Sequence, residues 1–279
     1  MTAGPASARP VPLAPPKHAA VAPRVRARPA WMIVERNLLV YRRVWLAFVS
    51  GFFEPVFYLL SIGVGTGALV GGEIVVEGRV VDYAAFVAPA LLASSAMNGA
   101  IYDSTFGVFF KLKYAKTYDA MLTTPLAPAD VALGEVCWAL LRGTLYAIAF
   151  LLVMLGLGLL VSPWAMLALP AALLIGFAFA GAGMAASSFM RSWQDFEWIN
   201  LVVLPMFLLS TTFYPLQTYP EGLRPLVAAT PLYQGVELMR GLILGEVGSD
   251  LLTPVLYLAA MGTLGLVVAS RRLGRLLLR

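Results

Sequence analysis

The sequence predicts an all-α membrane protein whose chain crosses a bilayer several times. Hydrophobic residues make up 60% of the 279 residues and charged residues only 13%, unlike the balance of a soluble domain. The apolar residues gather into long runs, and about 20 apolar residues suffice for one helical crossing. Six such runs occur, at residues 44–70, 83–106, 129–161, 164–190, 196–214 and 251–270. We therefore expect an all-α polytopic membrane protein with six transmembrane helices.

The chain before the first run divides into two parts. Residues 1–28 are rich in Pro, Ala and basic residues without apolar periodicity, which predicts a disordered tail, and no signal peptide is expected. From residue 29 to 43, Trp31, Val34, Leu38 and Tyr41 recur at helical steps. This pattern predicts an amphipathic helix in the headgroup plane that leads into the first span. A plain cytosolic extension of that span is the alternative.

The stretch from 111 to 124 is the largest polar interruption in the middle of the chain. Wound as a helix, it would have two different faces. One face carries Lys113, Lys116, Asp119 and Thr123, and the other carries Tyr114, Tyr118, Met121 and Leu122. Pro125 and Pro128 would end this helix and start the next span. The stretch is expected either to lie flat under the membrane and receive force from a soluble partner, or to be a solvated loop.

Basic residues set the expected orientation. Lys and Arg concentrate in the N-terminal segment, in the 111–124 stretch and at the C-terminus, whereas the opposite loops carry Arg79, Arg224 and Arg240. By the positive-inside rule both termini are cytosolic. The outer segment 217–245 is expected to hold short helices, one of them beginning at Thr230 as N-cap and Pro231 as first helical residue.

Charge is costly inside a membrane span, and three charged residues within the predicted spans are candidates for a specific role. Glu54 precedes Pro55 in the first span, and Glu135 and Arg142 lie seven residues apart on one face of the third. Glu135 and Arg142 are interpreted as packing or snorkelling residues, with substrate contact as the alternative. The role of Glu54 stays open between the same two readings.

Enzyme chemistry has little support in the sequence. Cys137 is the single cysteine and His18 the single histidine, so Cys-based and His-based metal sites and a Ser-His-Asp triad are not expected. Walker A, nucleophile-elbow and zinc-protease motifs do not occur. We expect no catalytic residue, no metal ligand and no nucleic-acid partner. If the protein moves a substrate uphill, its ATPase must be another chain.

Three motifs carry a family resemblance. They are KTYDAMLTTPLAPADVALGE at 116–135, WALLRG at 138–143, and FYPLQTYPEGLRPLVAATPLYQGVELMRG at 213–241. From residue 29 onward the chain resembles the membrane permease of type-2 ABC exporters. Within that family it is similar to the branch with nodulation lipo-oligosaccharide exporters and daunorubicin-type drug exporters.

The resemblance implies a connecting helix at 29–43, a coupling helix at 111–124 and re-entrant outer helices at 217–245. The residues that match the coupling motif are Tyr118, Asp119, Leu122, Thr124 and Pro125, and those that match the outer motif are Pro231, Glu237 and Arg240. The implied partners are a separate ATP-binding subunit that uses ATP and Mg, a second permease copy or paralogue, and membrane lipids. The permease itself would bind no cofactor.

The function expected from these observations is export across the bacterial cytoplasmic membrane. The cargo would be amphipathic or lipid-linked, such as a lipo-oligosaccharide, a glycolipid or a hydrophobic drug, the last implying antibiotic resistance. Two alternatives belong to other classes. One is a non-transporting scaffold or drug-sequestering resistance protein, and the other is a membrane enzyme acting on lipid headgroups, which should show clustered carboxylates or histidines.

Overall fold

Long apolar helices dominate the structure. A computed structural model describes residues 27–41, 53, 55–76, 79–121 and 123–277. Within these ranges four helices are long and apolar enough to cross a membrane, namely Tyr83–Lys113, Pro128–Gly156, Pro163–Ser187 and Ser249–Leu276. The prediction of a helical membrane protein is confirmed at this level. Glu54, Leu122 and the tail up to residue 26 lie outside the described residues.

The elements carry the following labels in chain order. They are α1 (Ala27–Tyr41), α2 (Pro55–Leu69), β1 (Glu73–Val76), β2 (Arg79–Asp82), α3 (Tyr83–Lys113), α4 (Thr117–Met121), α5 (Pro128–Gly156), α6 (Pro163–Ser187), α7 (Phe196–Leu209), α8 (Arg224–Ala228), α9 (Pro231–Leu244) and α10 (Leu252–Leu277). The hydrogen bonds of α2 are π-helical over Leu59–Thr66, and those of α3 over Asp103–Gly107. Lys111, Lys113 and Lys116 mark one end of the bundle, called the basic end below.

Helix α1 packs against the first half of α5 at the basic end. Its buried side chains are Ala30, Ile33, Val34 and Asn37, which recur at helical steps. Only part of the predicted apolar stripe is buried against α5: Val34 is buried, whereas Trp31 and Leu38 are exposed. Ile33 packs against α5 at Gly134, where the absence of a side chain leaves room for this close approach.

A small β-hairpin corrects the all-α prediction. Strands β1 and β2 pair antiparallel, with Glu73 opposite Asp82 and Val76 opposite Arg79. Both strands are rich in valine, whose branched side chain favours extended backbone. Gly71 and Gly72 reverse the chain before β1 with φ values of 90° and 82°, a region that favours glycine.

The 111–124 stretch is not one helix, which corrects the prediction of a single coupling helix. Helix α3 continues past residue 106 and ends at Lys113, so that Lys111 and Lys113 belong to the spanning helix. The chain then turns through Lys116, whose φ of 45° breaks helical geometry, and forms the five-residue helix α4. The break allows Tyr118 to enter the core, where it is 1% exposed.

The ends of the other predicted spans also shift. Helix α5 ends at Gly156, short of residue 161, and Gly158 follows with a φ of 70°. Helix α7 ends at Leu209, short of residue 214, because the chain turns at Thr211 with a φ of 59°. At α9 the Thr230 hydroxyl accepts a hydrogen bond from the Tyr233 amide, as expected for the N-cap, and Gly245 ends the helix with a φ of 87°.

Small residues bring α6 and α10 into direct backbone contact. A Cβ atom added to Gly181 would lie within 2.4 Å of the Gly262 carbonyl oxygen, and one added to Gly262 would lie within 2.4 Å of the Phe177 ring. Only glycine permits so close an approach, and small residues are the usual means of packing helices in lipid. Together with α3 and α5, these two helices form the core of the bundle.

Candidate functional site

Three elements meet at the basic end around the carboxylate of Glu135. These are α1, the end of α3 with α4 behind it, and the first turns of α5. Glu135 is 5% exposed, so its charge needs a partner. Its Oε2 atom accepts hydrogen bonds from Lys111 Nζ at 2.6 Å and from Asn37 Nδ2 at 3.2 Å. Lys111 Nζ also donates to Asn37 Oδ1 at 3.3 Å, which closes a triangle across the three elements.

Sequence reasoning singled out Glu135 but missed both of its partners. Lys111 was assigned to the coupling stretch, and Asn37 falls among the apolar residues of α1. The sequence does contain an indication of this pair. One acid and one base each lie alone near the basic end of an apolar helix, and charged residues in membrane helices are usually paired with each other. Lys111 is thus the counter-charge of Glu135, which agrees with a packing role for Glu135.

Tyr118 lies beside this triangle. Its side chain is buried, and its hydroxyl and the Oε1 atom of Glu135 are both buried without a hydrogen-bond partner among the described residues. Burial, together with the negative charge of Glu135, raises the pKa of the Tyr118 hydroxyl well above its usual 10.0. The ring of Tyr118 therefore anchors α4 to the core as a neutral group.

The other described residues of the predicted coupling set are exposed. Lys113, Lys116, Asp119, Thr124 and Pro125 are all exposed. The Thr124 hydroxyl donates to the Met121 carbonyl at 2.5 Å and keeps the turn after α4 compact. The structure thus divides the predicted set into an exposed polar surface at 113–125, called the coupling surface below, and one buried anchor, Tyr118.

A second ion pair lies deeper in the bundle. Arg142 NH2 is 2.5 Å from Asp103 Oδ1, and the two side chains are 11% and 9% exposed. The Arg142 guanidinium also lies 5.8 Å from the ring centres of Tyr41 and Tyr146. Asp103 was not singled out from the sequence, although it is a lone acid inside a predicted span. It lies at the start of the π-helical turn of α3.

The outer motif residues lie on α9, at the opposite end of the bundle. Arg240 is buried and donates from NH2 to the Thr211 carbonyl at 2.8 Å and from NH1 to Glu237 Oε1 at 3.2 Å. Its guanidinium covers the Phe86 ring of α3 at 3.9 Å. Pro231 opens the helix at its first position. Arg240 and Glu237 are thus in contact, whereas Pro231 has a conformational role at the start of the same helix.

Arg240 belongs to a set of side chains that hold the turn after α7. The Tyr83 hydroxyl donates to the Phe213 carbonyl at 3.1 Å, and the Tyr219 hydroxyl donates to the Leu208 carbonyl at 3.3 Å. The turn itself, Ser210 to Thr212, is at most 1% exposed. Backbone without helical hydrogen bonds is tolerated in such a place only when its polar groups find partners in the protein.

A cavity of about 280 Å³ lies near the hairpin. It is bounded by α2, the start of α3 and the turn after α5, and Asp82 contributes an acidic group to an otherwise apolar lining. The Asp82 carboxylate accepts a hydrogen bond from the Ala85 amide and so caps α3. No group of three or more His, Cys, Asp and Glu side chains in the described part of the chain is placed to hold a metal ion.

Comparison with known proteins relates these features to a family. The family model described as ABC-2 type transporter matches residues 29–244, a range that includes the Glu135 triangle, the coupling surface and Arg240. The chain belongs to the ABC-2 type transporter family. It is thus an integral membrane protein related to the transmembrane subunits of ABC transporters, as its resemblance to type-2 ABC permeases predicted.

Relatives in the ABC-2 type transporter family carry the name Nodulation protein J. The protein from Rhizobium leguminosarum bv. viciae is 33% identical over 221 residues, which are 77% of this chain and 83% of that protein. The one from Rhizobium leguminosarum bv. trifolii is 32% identical over 254 residues, covering 89% and 94%. The one from Azorhizobium caulinodans is 26% identical over 235 residues, covering 82% and 91%. The resemblance to the nodulation branch of the type-2 ABC permeases is confirmed.

Proposed function

We propose that this chain is the permease subunit of an ATP-driven exporter in the bacterial cytoplasmic membrane. The observation that carries the proposal is the coupling surface, a polar exposed surface that lies between α3 and α5 in the sequence and is anchored by buried Tyr118. A soluble ATP-binding subunit with bound ATP and Mg would dock there. The complete exporter would contain two permeases, identical or paralogous, and two such subunits.

The proposed topology has six spans with both termini in the cytosol. The four long helices supply four of them, and α2 and α7 would supply the first and fifth. Helix α7 has 14 residues, or about 21 Å at 1.5 Å per residue, which is shorter than a hydrocarbon core of about 30 Å. The buried turn from Ser210 to Thr212 would complete this crossing, since the Thr211 carbonyl accepts a hydrogen bond from Arg240 and the Ser210 carbonyl accepts one from the Thr211 hydroxyl.

The proposed cargo is an amphipathic or lipid-linked molecule. Relatives named for nodulation, and the similarity to nodulation lipo-oligosaccharide exporters, favour a lipo-oligosaccharide or glycolipid as the first substrate to test. A hydrophobic drug, and with it a role in antibiotic resistance, is the second. The proposed role for Pro231, Glu237 and Arg240 is to form part of an outer gate, because they lie at the end of the bundle opposite the coupling surface.

Co-purification tests the proposal. The tagged permease is extracted from its native membrane in mild detergent, and the eluate is examined by mass spectrometry and by ATPase assay. We expect a stoichiometric ATP-binding subunit and Mg-dependent hydrolysis. Recovery of the permease alone and inactive, under conditions that preserve other exporter complexes, would instead favour the non-transporting scaffold.

Charge reversal then locates the contact. Lys113→Glu combined with Asp119→Lys changes two exposed side chains of the coupling surface and leaves the net charge unchanged. We expect the variant to enter the membrane normally but to lose the ATP-binding subunit. Glu221→Lys, an exposed change at the opposite end of the bundle, is the control and should retain it. Equal retention of the ATP-binding subunit by both variants would remove the coupling surface as the docking site.

A further inference from the structure

The two largely buried ion pairs have complementary spacing on neighbouring antiparallel helices. On α3, Asp103 and Lys111 are eight residues apart, and on α5 Glu135 and Arg142 are seven apart. At 1.5 Å per residue these spacings are about 12 Å and 10.5 Å, so both pairs can form at once. The structure has both, at 2.6 Å for Lys111–Glu135 and 2.5 Å for Asp103–Arg142.

The order of charges makes this arrangement specific for one register. Toward the basic end, α3 presents an acid and then a base, whereas α5 presents a base and then an acid. A slide of α3 along α5 by the distance between the pairs would place Asp103 against Glu135 or Lys111 against Arg142. Like charges with little solvent repel strongly, and a buried charge that loses its partner is costly. Sliding of α3 along α5 into another register therefore has a high cost in free energy.

Helix α1 contacts both pairs from the same face. Asn37 bonds to Glu135 and Lys111, and the Tyr41 ring lies against the Arg142 guanidinium. Asn37 and Tyr41 are four residues apart and therefore lie on one side of the helix. Helix α1 is thus fixed to both α3 and α5 at two depths in the bundle.

We propose that Asp103, Lys111, Glu135 and Arg142 are positioning residues that join α1 and the basic-end halves of α3 and α5 into one rigid body. Both helices that flank the coupling surface belong to this body. A displacement of that surface therefore moves the three helices together, while α3 and α5 keep their register. The part of this inference that concerns displacement rests on the proposed function, and the part that concerns rigidity does not.

Distances between spin labels test the proposal in the full complex. Labels are placed at Tyr102→Cys on α3 and Leu145→Cys on α5, two mostly exposed positions outside the ion pairs, in a Cys137→Ser background with unlabelled protomers in excess. A control pair joins Tyr102→Cys to Leu264→Cys, which is exposed on α10. Distances are compared between the nucleotide-free state and the state trapped with Mg-ATP and vanadate.

We expect the α3–α5 distance to change by less than about 2 Å between the two states, whereas a slide of α3 along α5 by one helical turn would change it by up to about 5 Å. A change of that size would overturn the rigid body, and a change confined to the control distance would support it. Failure of the complex to bind or hydrolyse ATP would count against the proposed function. The ATPase assay detects that failure independently of the distance measurement.

Charge exchange tests rigidity without any nucleotide. Lys111→Glu and Glu135→Lys are made singly and together in the labelled permease, and the amide of Asn37 can rotate to serve either polarity. Each single variant should broaden the α3–α5 distance distribution. The exchanged pair should narrow it again, because the native register then has two ion pairs and a slid register only one. The mismatched double variant, Lys111→Glu with Arg142→Glu, should stay broad. Narrow distributions in all variants, or equal widths in the exchanged and mismatched pairs, would overturn the proposal.

Discussion

At the scale of single residues, Gly134 sets the distance between α1 and α5. A Cβ atom at this position would lie 2.8 Å from Ile33 Cβ and 3.0 Å from the Ala30 carbonyl oxygen. The Ala30 oxygen belongs to the backbone and cannot move without shifting α1 as a whole. The hydrogen bonds of Asn37 with Glu135 and Lys111 depend on the same approach, because Asn37 lies one turn further along α1.

Gly134→Ala should therefore destabilise the protein, by about 1–3 kcal/mol, as expected for an overpacked contact. Gly143→Ala on the same helix is the matched control, since an added Cβ there meets nothing within 4 Å. The control should be neutral or stabilising by up to about 1 kcal/mol, because alanine favours helix more than glycine does. Thermal unfolding of both variants in the same detergent checks the prediction, and equal unfolding midpoints would contradict it.

Arg240→Gln is a second test at this scale. The change removes the donor to the buried Thr211 carbonyl and the cation over Phe86. An unpartnered buried carbonyl costs about 1–3 kcal/mol, so the unfolding midpoint should fall and proteolysis between residues 210 and 223 should accelerate. In Glu237→Gln the Thr211 contact remains and the changed side chain is 40% exposed, so a smaller loss is expected. The same cleavage rate in both variants would argue against Arg240 as the residue that holds this turn.

At the scale of elements, the 111–124 stretch shows what periodicity can and cannot predict. The pattern correctly predicts that Lys113, Lys116 and Asp119 face outward, because charged side chains seek water whatever the backbone does. It does not predict the break at Lys116, which follows from tertiary packing that draws Tyr118 into the core. Asp103 was missed for a similar reason, since a pairing between helices leaves no periodic signal within either one. Positions outside the described residues, Glu54 among them, remain predictions.

Tyr118 supplies the test at this scale. Tyr118→Phe keeps the ring and removes a buried hydroxyl that lies near the Glu135 carboxylate but makes no hydrogen bond of good geometry, so stability should change by less than about 1 kcal/mol. Tyr118→Ala should lose about 3–5 kcal/mol, since it opens a cavity behind α4. It should also uncouple ATP hydrolysis from transport, whereas Tyr118→Phe should not. Uncoupling by both variants alike would assign the role to the hydroxyl instead of the ring.

The raised pKa of Tyr118 gives this comparison a pH dependence. The folded protein holds the phenol proton more tightly than the unfolded chain, whose pKa is near 10.0. The stabilisation from the neutral phenol is therefore complete below that pH and is lost as pH rises toward the higher folded pKa. Wild type should lose more stability than Tyr118→Phe between about pH 9 and 11. Parallel unfolding curves over that range would contradict the assigned burial.

At the scale of the whole molecule, the two ends of the bundle differ in charge. The coupling surface and the exposed C-terminal part of α10, which carries Arg271 and Arg275, lie together at the basic end. The hairpin with Glu73 and Asp82 lies at the other end, beside the start of α3. The positive-inside rule then orients the entire bundle, because one spanning helix, α3, connects the hairpin directly to Lys113.

Cysteine labelling in intact cells tests this orientation. In a Cys137→Ser background, Val75→Cys on β1 and Lys113→Cys at the end of α3 place single thiols at exposed positions near the two ends of one helix. A membrane-impermeant maleimide should label Val75→Cys at once and Lys113→Cys only after the cells are permeabilised. The opposite result would invert the bundle and place the coupling surface outside, where no ATP-binding subunit could reach it. Immediate labelling of both would mean that α3 does not cross the membrane, even though its 31 residues make about 46 Å of helix, enough for a bilayer of about 30 Å.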